Sequence, residues 1–467
     1  MDRANRQESP GTPLRSVRLA LGLGLLLACV ACDGSDEDTA GDSPRVAAEL
    51  PADPPNIVLF VSDDHNRRDL GCYGNEVVRS PRLDALAGEG MLLHGMFTMT
   101  AMCTPSRSVL YTGLSPAHNG ARENHSTVFR GTKTFPHHFE ALGYRVALAG
   151  KGHVGYDVDF PMEYMPYAAG LAPVEEFLAA DGERPFFLVV SSEEPHAPHE
   201  HGRFEPEEIP LPPSLVDTPA LRRTLAGYYG DIERLDTEVG EVLDLLDRLE
   251  LADDTLFIYT ADHGYGLFSK WSCYDAGLNV PFIARWPGVI GPGSESRALI
   301  GFEDVLPTLL DAAGGEPVSE LDGTSAIHVL LGGEDEHRRI LYGTHTNEGT
   351  LRGNEYPIRA VRTTTHKYIR NLKPEAAFRN SMTHDIDGQQ RDDESQPWGS
   401  WKLAAASNEF AAERVRAFRK RPAEELYDLV ADPHELVNLA DDPAQHDVLV
   451  TLRAELDAWL VTQGEEL

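Results

Sequence analysis

Four short apolar runs each end in residues that carry chemistry, and this recurrence constrains the fold most. Asn56–Ser62 leads into Asp63-Asp64, and Tyr144–Ala149 into Gly150-Lys151-Gly152-His153. Pro185–Ser191 leads into Glu193-Glu194-Pro195-His196, and Thr255–Thr260 into Ala261-Asp262-His263-Gly264. Near-continuous apolar runs of this length read as strands buried on both faces of a parallel sheet. Helical patterns alternate with them: Ser80–Gly90, with Pro81 in its first turn, then Thr104–Thr112, then Ala220–Leu251 with many acids on its exposed face. The alternation argues for an α/β sandwich. Residues at the carboxyl ends of strands stand where ligands bind in open α/β sheets. Beyond about residue 330 the texture changes: Tyr356–Asn371 reads as paired strands and His446–Thr462 as a closing helix. A smaller C-terminal α+β subdomain over 331–467 is therefore expected beside a catalytic domain over 56–330.

The first residues read as an export segment. Arg3, Arg6, Arg15 and Arg18 precede an apolar run from Leu19 to Ala28 that is too short to span a bilayer as a helix. No twin arginine precedes it, which favours Sec over Tat export. Leu26-Leu27-Ala28-Cys29 resembles a bacterial lipobox, so 1–28 is expected to be a signal peptide with lipid attached at Cys29. Cys32 fits the pattern less well, and an ordinary signal peptide cut near Ala31 is the alternative. Residues 29–55 are polar, acidic and rich in Ala and Pro, and read as a flexible tether. The implied location is the periplasm or the outer membrane surface of a bacterium.

Five cysteines are present. Cys29 and Cys32 lie in the export segment and Cys103 in a motif described below. Cys72 and Cys273 remain, so no disulfide framework is expected, and whether these two pair is open. The formal net charge of −34 argues against nucleic acid as a partner. An anionic substrate would need cations focused in one pocket.

Asp63 and Asp64 are adjacent carboxylates that repel unless a cation or proton intervenes. Asp262 and His263 recur in the same setting. Three carboxylates and a ring nitrogen suit one divalent metal: oxygen ligands favour Ca²⁺ or Mg²⁺, and the imidazole moves the site towards Mn²⁺ or Zn²⁺. Cys103 opens a helix whose N-terminus favours anions. Arg107, one turn on, shares its face. Lys151, His153, His196 and Lys270 add actual or potential cations.

Cys103-Thr104-Pro105-Ser106-Arg107 has a proline two and an arginine four residues after the cysteine. It resembles the pattern that directs conversion of cysteine to formylglycine. The run Thr100–Gly113 is similar to the signature of formylglycine-dependent sulfatases of the alkaline phosphatase superfamily. Pro55–Asp64 resembles that family's opening strand, Ser80–Ala87 its next helix, and Lys270–Pro281 a late catalytic segment. Gly150–Gly155, Arg184–Leu188 with Pro195-His196, and Glu424–Leu429 with Asp432–Glu435 and Asn438–Ala440 are similar to the heparan N-sulfatase (sulfamidase) branch.

The resemblance implies an alkaline-phosphatase-like sandwich with a large central mixed sheet. It implies that Asp63, Asp64, Asp262 and His263 bind one metal, usually Ca²⁺. Cys103 becomes formylglycine through a maturation enzyme, Arg107 holds it, and Lys151, His196 and Lys270 grip sulfate. In the implied mechanism Asp262 takes a proton from the nucleophile. Lys270 or His196 protonates the leaving group, and His153 deprotonates the second hydroxyl. Many members have asparagine where this chain has His263, and phosphonate monoester hydrolase-like branches have histidine there. Metal identity and sulfate-versus-phosphonate preference are open on that account. The expected function is hydrolysis of sulfate esters or N-sulfates of sulfated glycans. The alternatives are a phosphonate monoester or phosphodiester hydrolase, and a glycan-binding pseudoenzyme. Arg122, Asn124, His125, His199 and His201 lie near the motifs and read either as contacts to the sugar or as loop surface.

Overall fold

The computed structural model describes residues 48–465, apart from 155–158, 167–169, 181, 200–203, 266–268 and 384–393. The expected signal peptide, Cys29, Cys32, most of the expected tether and His201 lie outside the described residues. Among those described, no helix is long and apolar enough to cross a membrane.

The core strand is Asn56–Ser62, paired in parallel with Phe186–Ser191 on one side and Thr255–Ala261 on the other. Its side chains divide between two apolar clusters, Ile57, Leu59 and Val61 facing one and Val58 and Phe60 the other. This is why the run is continuously apolar rather than alternating. Arg145–Gly150 and Glu163–Met165 extend the parallel half. Beyond Thr255–Ala261 the sheet turns mixed: Phe282–Arg285 is antiparallel to its neighbours Thr255–Ala261 and Met91–Leu93, and Ser294–Ser296 forms the edge. The result is an eight-stranded sheet, in keeping with the large central mixed sheet expected.

The helices fall close to their expected places at Pro81–Glu89, Cys103–Thr112 and Pro219–Arg248. The long helix departs from expectation in one respect. Two of its acids, Asp231 and Asp236, are buried instead of facing solvent. Asp236 accepts the backbone N–H groups of Arg82 and Leu83 at 3.0 and 2.8 Å. It thereby satisfies orphan donors of the Pro81–Glu89 helix that no cap on that helix reaches. Cys72 and Cys273 are free thiols.

A four-stranded antiparallel sheet occupies the C-terminal part, in the order Leu341–His345, Ile358–Arg362, His366–Asn371, Glu424–Asp428. The expected paired strands are its centre. The closing helix His446–Thr462 packs Leu449, Leu452, Leu456 and Leu460 against Val361, Tyr368 and Leu426.

His345 ends the first of these strands and is 1% exposed. Burial, reinforced by the Arg421 charge, pushes its pKa down to about 3. Its unfolded value is about 6.5. Between these values only the unfolded chain takes up the proton, so stability falls as pH drops, by roughly 1.4 kcal/mol per pH unit. His345→Asn removes this titration. Relative to the parent, the variant should gain about 2 kcal/mol on going from pH 7 to pH 5 in urea unfolding. An unchanged difference at the two pH values would show that His345 is not held neutral.

Candidate active site

The register of the sheet builds the site. Ser62 lies beside Ala261, so the segments carrying Asp63-Asp64 and Asp262-His263 leave the sheet side by side. The Asp262 N–H donates to the Ser62 carbonyl at 3.0 Å. Asp262 Oδ1 accepts from the N–H groups of Asp64 and His263 at 3.1 and 2.9 Å. Asp64 has a φ of +60°, in the left-handed region that few non-glycine residues occupy. Strand Arg145–Gly150 delivers Lys151, and strand Phe186–Ser191 delivers the turn that carries His196.

Cys103 is the first residue of a helix in which all ten residues are buried. A helix with no solvent face must satisfy its hydroxyls internally. Ser106 donates to the Asp262 carbonyl and Thr112 to the Ser108 carbonyl at 2.6 Å. Gly113, at φ +65°, ends the helix in the left-handed conformation that glycine adopts without strain. Asn124 Oδ1 accepts the Thr104 N–H at 3.2 Å and so caps the end that presents Cys103.

The Cys103 sulfur stands 3.3 Å from Lys270 Nζ, 3.4 Å from His263 Nε2 and 3.7 Å from Asp63 Oδ1. Lys270 donates to both Asp64 oxygens at 2.8 and 3.1 Å, and Lys151 donates to Asp63. Arg107 is fully buried. Its Nε donates to Asp262 Oδ2 at 3.0 Å, its Nη1 donates to Ser191 Oγ and the Lys151 carbonyl, and its Nη2 is 3.8 Å from Asp63. Arg107 therefore braces two carboxylates from behind. Burial alone would raise the Asp63 and Asp64 pKa values. The surrounding positive charges outweigh it, Lys151 and Arg107 for Asp63 and chiefly Lys270 for Asp64, and hold both below the usual carboxylate range.

Asp63, Asp64, Cys103 and His263 each place one ligand atom within 4.8 Å of the others. Asp262 adjoins them, its Oδ1 3.8 Å from His263 Nε2. His263 Nδ1 lies 2.9 Å from the Gly264 carbonyl, which fixes the proton there and leaves Nε2 facing the carboxylates. Buried carboxylates flanked by an oriented imidazole nitrogen form a donor set that fits a divalent cation.

The remaining candidates divide. His196 stands at the rim, its side chain 40% exposed, with Nε2 3.9 Å from Asp64. His153 Nε2 is 2.8 Å from His125 Nδ1, so these two form a pair beside the site. Arg122 and His125 are exposed, and Asn124 is half-buried. His199 is used structurally: its ring bridges Asp231 and the Tyr265 hydroxyl, each at 2.6 Å. Sequence reading missed Ser191, whose hydroxyl holds Arg107. A polar residue ending an otherwise apolar strand was the available signal.

Cys103 at a helix N-terminus thus stands against paired carboxylates and the cations Lys151, Lys270 and Arg107. The family model described as Sulfatase matches residues 55–163 and 158–315, and the chain belongs to the sulfatase family. It is a sulfuric ester or sulfamate hydrolase. A model described as N-sulphoglucosamine sulphohydrolase, C-terminal, matches residues 263–381. An ulvan-active sulfatase of Formosa agariphila is 35% identical, over 95% of this chain and 89% of its own length. The N-sulphoglucosamine sulphohydrolase of Homo sapiens is 28% identical, over 87% of this chain and 90% of its own. Among solved structures, a 2-O GAG sulfatase has a TM-score of 0.70 at 21% identity, covering 88% of this chain and 93% of that one. The phosphonate monoester hydrolase of Agrobacterium radiobacter has a TM-score of 0.67 at 20% identity, covering 88% and 96%. These two establish the alkaline-phosphatase-like fold.

Proposed function

We propose that this protein removes sulfate from a sulfated glycan, as an ester or an N-sulfate, using formylglycine made from Cys103. The observation that carries this reading is the Cys103 sulfur within 3.4 Å of both Lys270 and His263 at the buried end of a helix. The names of the relatives, an ulvan-active sulfatase and an N-sulphoglucosamine sulphohydrolase, support the substrate class. When present, the hydrated aldehyde supplies the hydroxyl nucleophile, and a divalent cation, taken as Ca²⁺, supplies a Lewis acid that lowers its pKa.

The chain's own residues do the rest. Asp63, Asp64, Asp262 and His263 hold the cation. Lys151 and Lys270 bring positive charge to the place where sulfate oxygens gather it in the transition state. Arg107 fixes the Asp262 and Asp63 carboxylates. His196, at the rim, is placed to protonate the departing oxygen or nitrogen as it meets solvent. Burial, with Lys151 and Arg107 nearby, pushes the His153 pKa down to about 4. His153 is thus neutral near pH 7 and able to accept a proton. Residues 56–330 serve as the catalytic domain and 331–467 as the C-terminal subdomain. The chain is matured by a formylglycine-generating enzyme, exported, and anchored by lipid at Cys29.

Mass spectrometry of the tryptic peptide containing Cys103, from a maturation-competent host, tests the reading. A loss of about 18 Da marks thiol converted to hydrated-capable aldehyde. Sulfate release from ulvan oligosaccharides and from N-sulfoglucosamine then separates ester from sulfamate chemistry. An unmodified cysteine in an active preparation would overturn the proposal.

A further inference from the structure

A cavity of about 570 Å³ lies beside the catalytic group without including it. Its wall contains Asn66, Tyr265 and Ser269, each within two residues of Asp64, His263 or Lys270. It also contains Arg67, Arg68, Arg297 and Arg414. None of these four arginines has a carboxylate within ion-pair distance among the described residues. The half-buried Arg67 donates from Nε to Asn279 Oδ1 at 2.6 Å, and its Nη1 lies 3.3 Å from His94 Nδ1. Arg68 donates to the Pro433 carbonyl at 3.2 Å and faces His434. Arg414 Nε is buried with no hydrogen-bond partner.

The acids in the same wall are already engaged. Asp69 accepts from Asn66 Nδ2 at 3.0 Å and from the Tyr229 hydroxyl at 3.3 Å. Asp275 is held by Arg362 at 3.1 Å and by Lys367. Glu435 is held by Lys367 at 3.1 Å and accepts the Asp275 N–H at 2.7 Å. A chain of net charge −34 has thus gathered four arginines without acidic partners around one cavity. Burial lowers the Arg67 pKa, and the like charges of Arg68 and Arg297 add to this, partly offset by Tyr73 and Asp275. A bound anion would relieve that repulsion. Tyr229, Tyr265, Tyr274 and Phe97 supply ring surface between the charges, and the volume is that of a small-ligand pocket. Guanidinium groups suit planar carboxylate and tetrahedral oxyanion groups alike.

We propose that this cavity is a second saccharide site that takes the acidic group, sulfate or carboxylate, of a sugar other than the one being desulfated. The proposal rests on the sulfated-glycan reading above. Its function is to select polyanionic chains over isolated sulfate esters.

The test uses Arg67→Gln, Arg297→Gln and Arg414→Gln with two substrates, 4-nitrophenyl sulfate and a sulfated, uronate-containing tetrasaccharide. KM for the tetrasaccharide should rise about tenfold in the variants. The kcat/KM for the aryl sulfate should stay within about twofold of the parent. A carboxyl-reduced tetrasaccharide assigns the anion: a matching loss identifies carboxylate, and no loss identifies sulfate. Arg297 is exposed, so its variant has no folding penalty to confuse the result. Unchanged KM in all three variants would overturn the proposal. If the parent hydrolyses neither substrate, the sulfatase reading fails by itself. Calorimetric binding of the tetrasaccharide then decides the cavity: about tenfold weaker binding in the variants supports it, and equal binding refutes it.

Discussion

Cys103→Ala is expected to reduce sulfate release by about 10⁴-fold or more, with the protein still folded. The side chain is 2% exposed and its sulfur is the atom on which Lys270, His263 and Asp63 converge. Alanine keeps Cβ but lacks the thiol whose oxidative loss turns Cβ into the aldehyde carbon, while Asp63, Asp64, Asp262 and His263 keep their positions on the strand ends. Losing one buried sulfur costs about 1 kcal/mol of packing, far too little to unfold the chain. Ion chromatography of released sulfate, beside thermal unfolding of the same preparation, measures both halves. Activity within tenfold of the parent would sink the formylglycine mechanism. Activity lost together with the folding transition would leave the site untested by this variant, and Cys103→Ser, which keeps a small polar atom there, then serves in its place.

Arg107→Met should be the most destabilising single change in the site, costing about 3–5 kcal/mol. Arg107 is wholly buried and is the partner behind Asp262, which among the described residues otherwise meets backbone N–H groups and His263. Removing the guanidinium leaves a buried carboxylate short of a counter-charge and frees Ser191 and the Lys151 carbonyl. Arg107→Lys keeps the charge, but one ammonium cannot span Asp262, Ser191 and the Lys151 carbonyl together. It should therefore recover part of the stability and little of the activity. Guanidinium unfolding of both variants, paired with activity, checks this. A midpoint for Arg107→Met within about 2 °C of the parent in thermal scans would show that the arginine is not the support described here.

Sequence alone determined the parts of this protein that follow from local pattern. Continuous apolar runs identified Asn56–Ser62, Phe186–Ser191 and Thr255–Ala261, because strands covered on both faces have no polar side to show. The position of chemistry-bearing residues after those runs identified most of the site, because loops at strand ends are where an α/β sheet presents side chains. The Cys103 motif was legible because it is contiguous. Tertiary structure decided what depends on which elements become neighbours. The acids of Pro219–Arg248 read as an exposed face, yet Asp236 is buried because the Pro81–Glu89 helix arrives with unsatisfied amides. His199 read as a sugar contact or as loop surface, yet Asp231 and Tyr265 claim both ring nitrogens. Arg107 read as holding the cysteine, and its further place behind Asp262 came only from the fold. The arginine-lined cavity was invisible in sequence because its walls come from segments as far apart as residues 67 and 434. Charge pairing is a property of the packed chain: the same arginine is solvated, bridged or left unpaired according to which carboxylates the fold brings within about 4 Å.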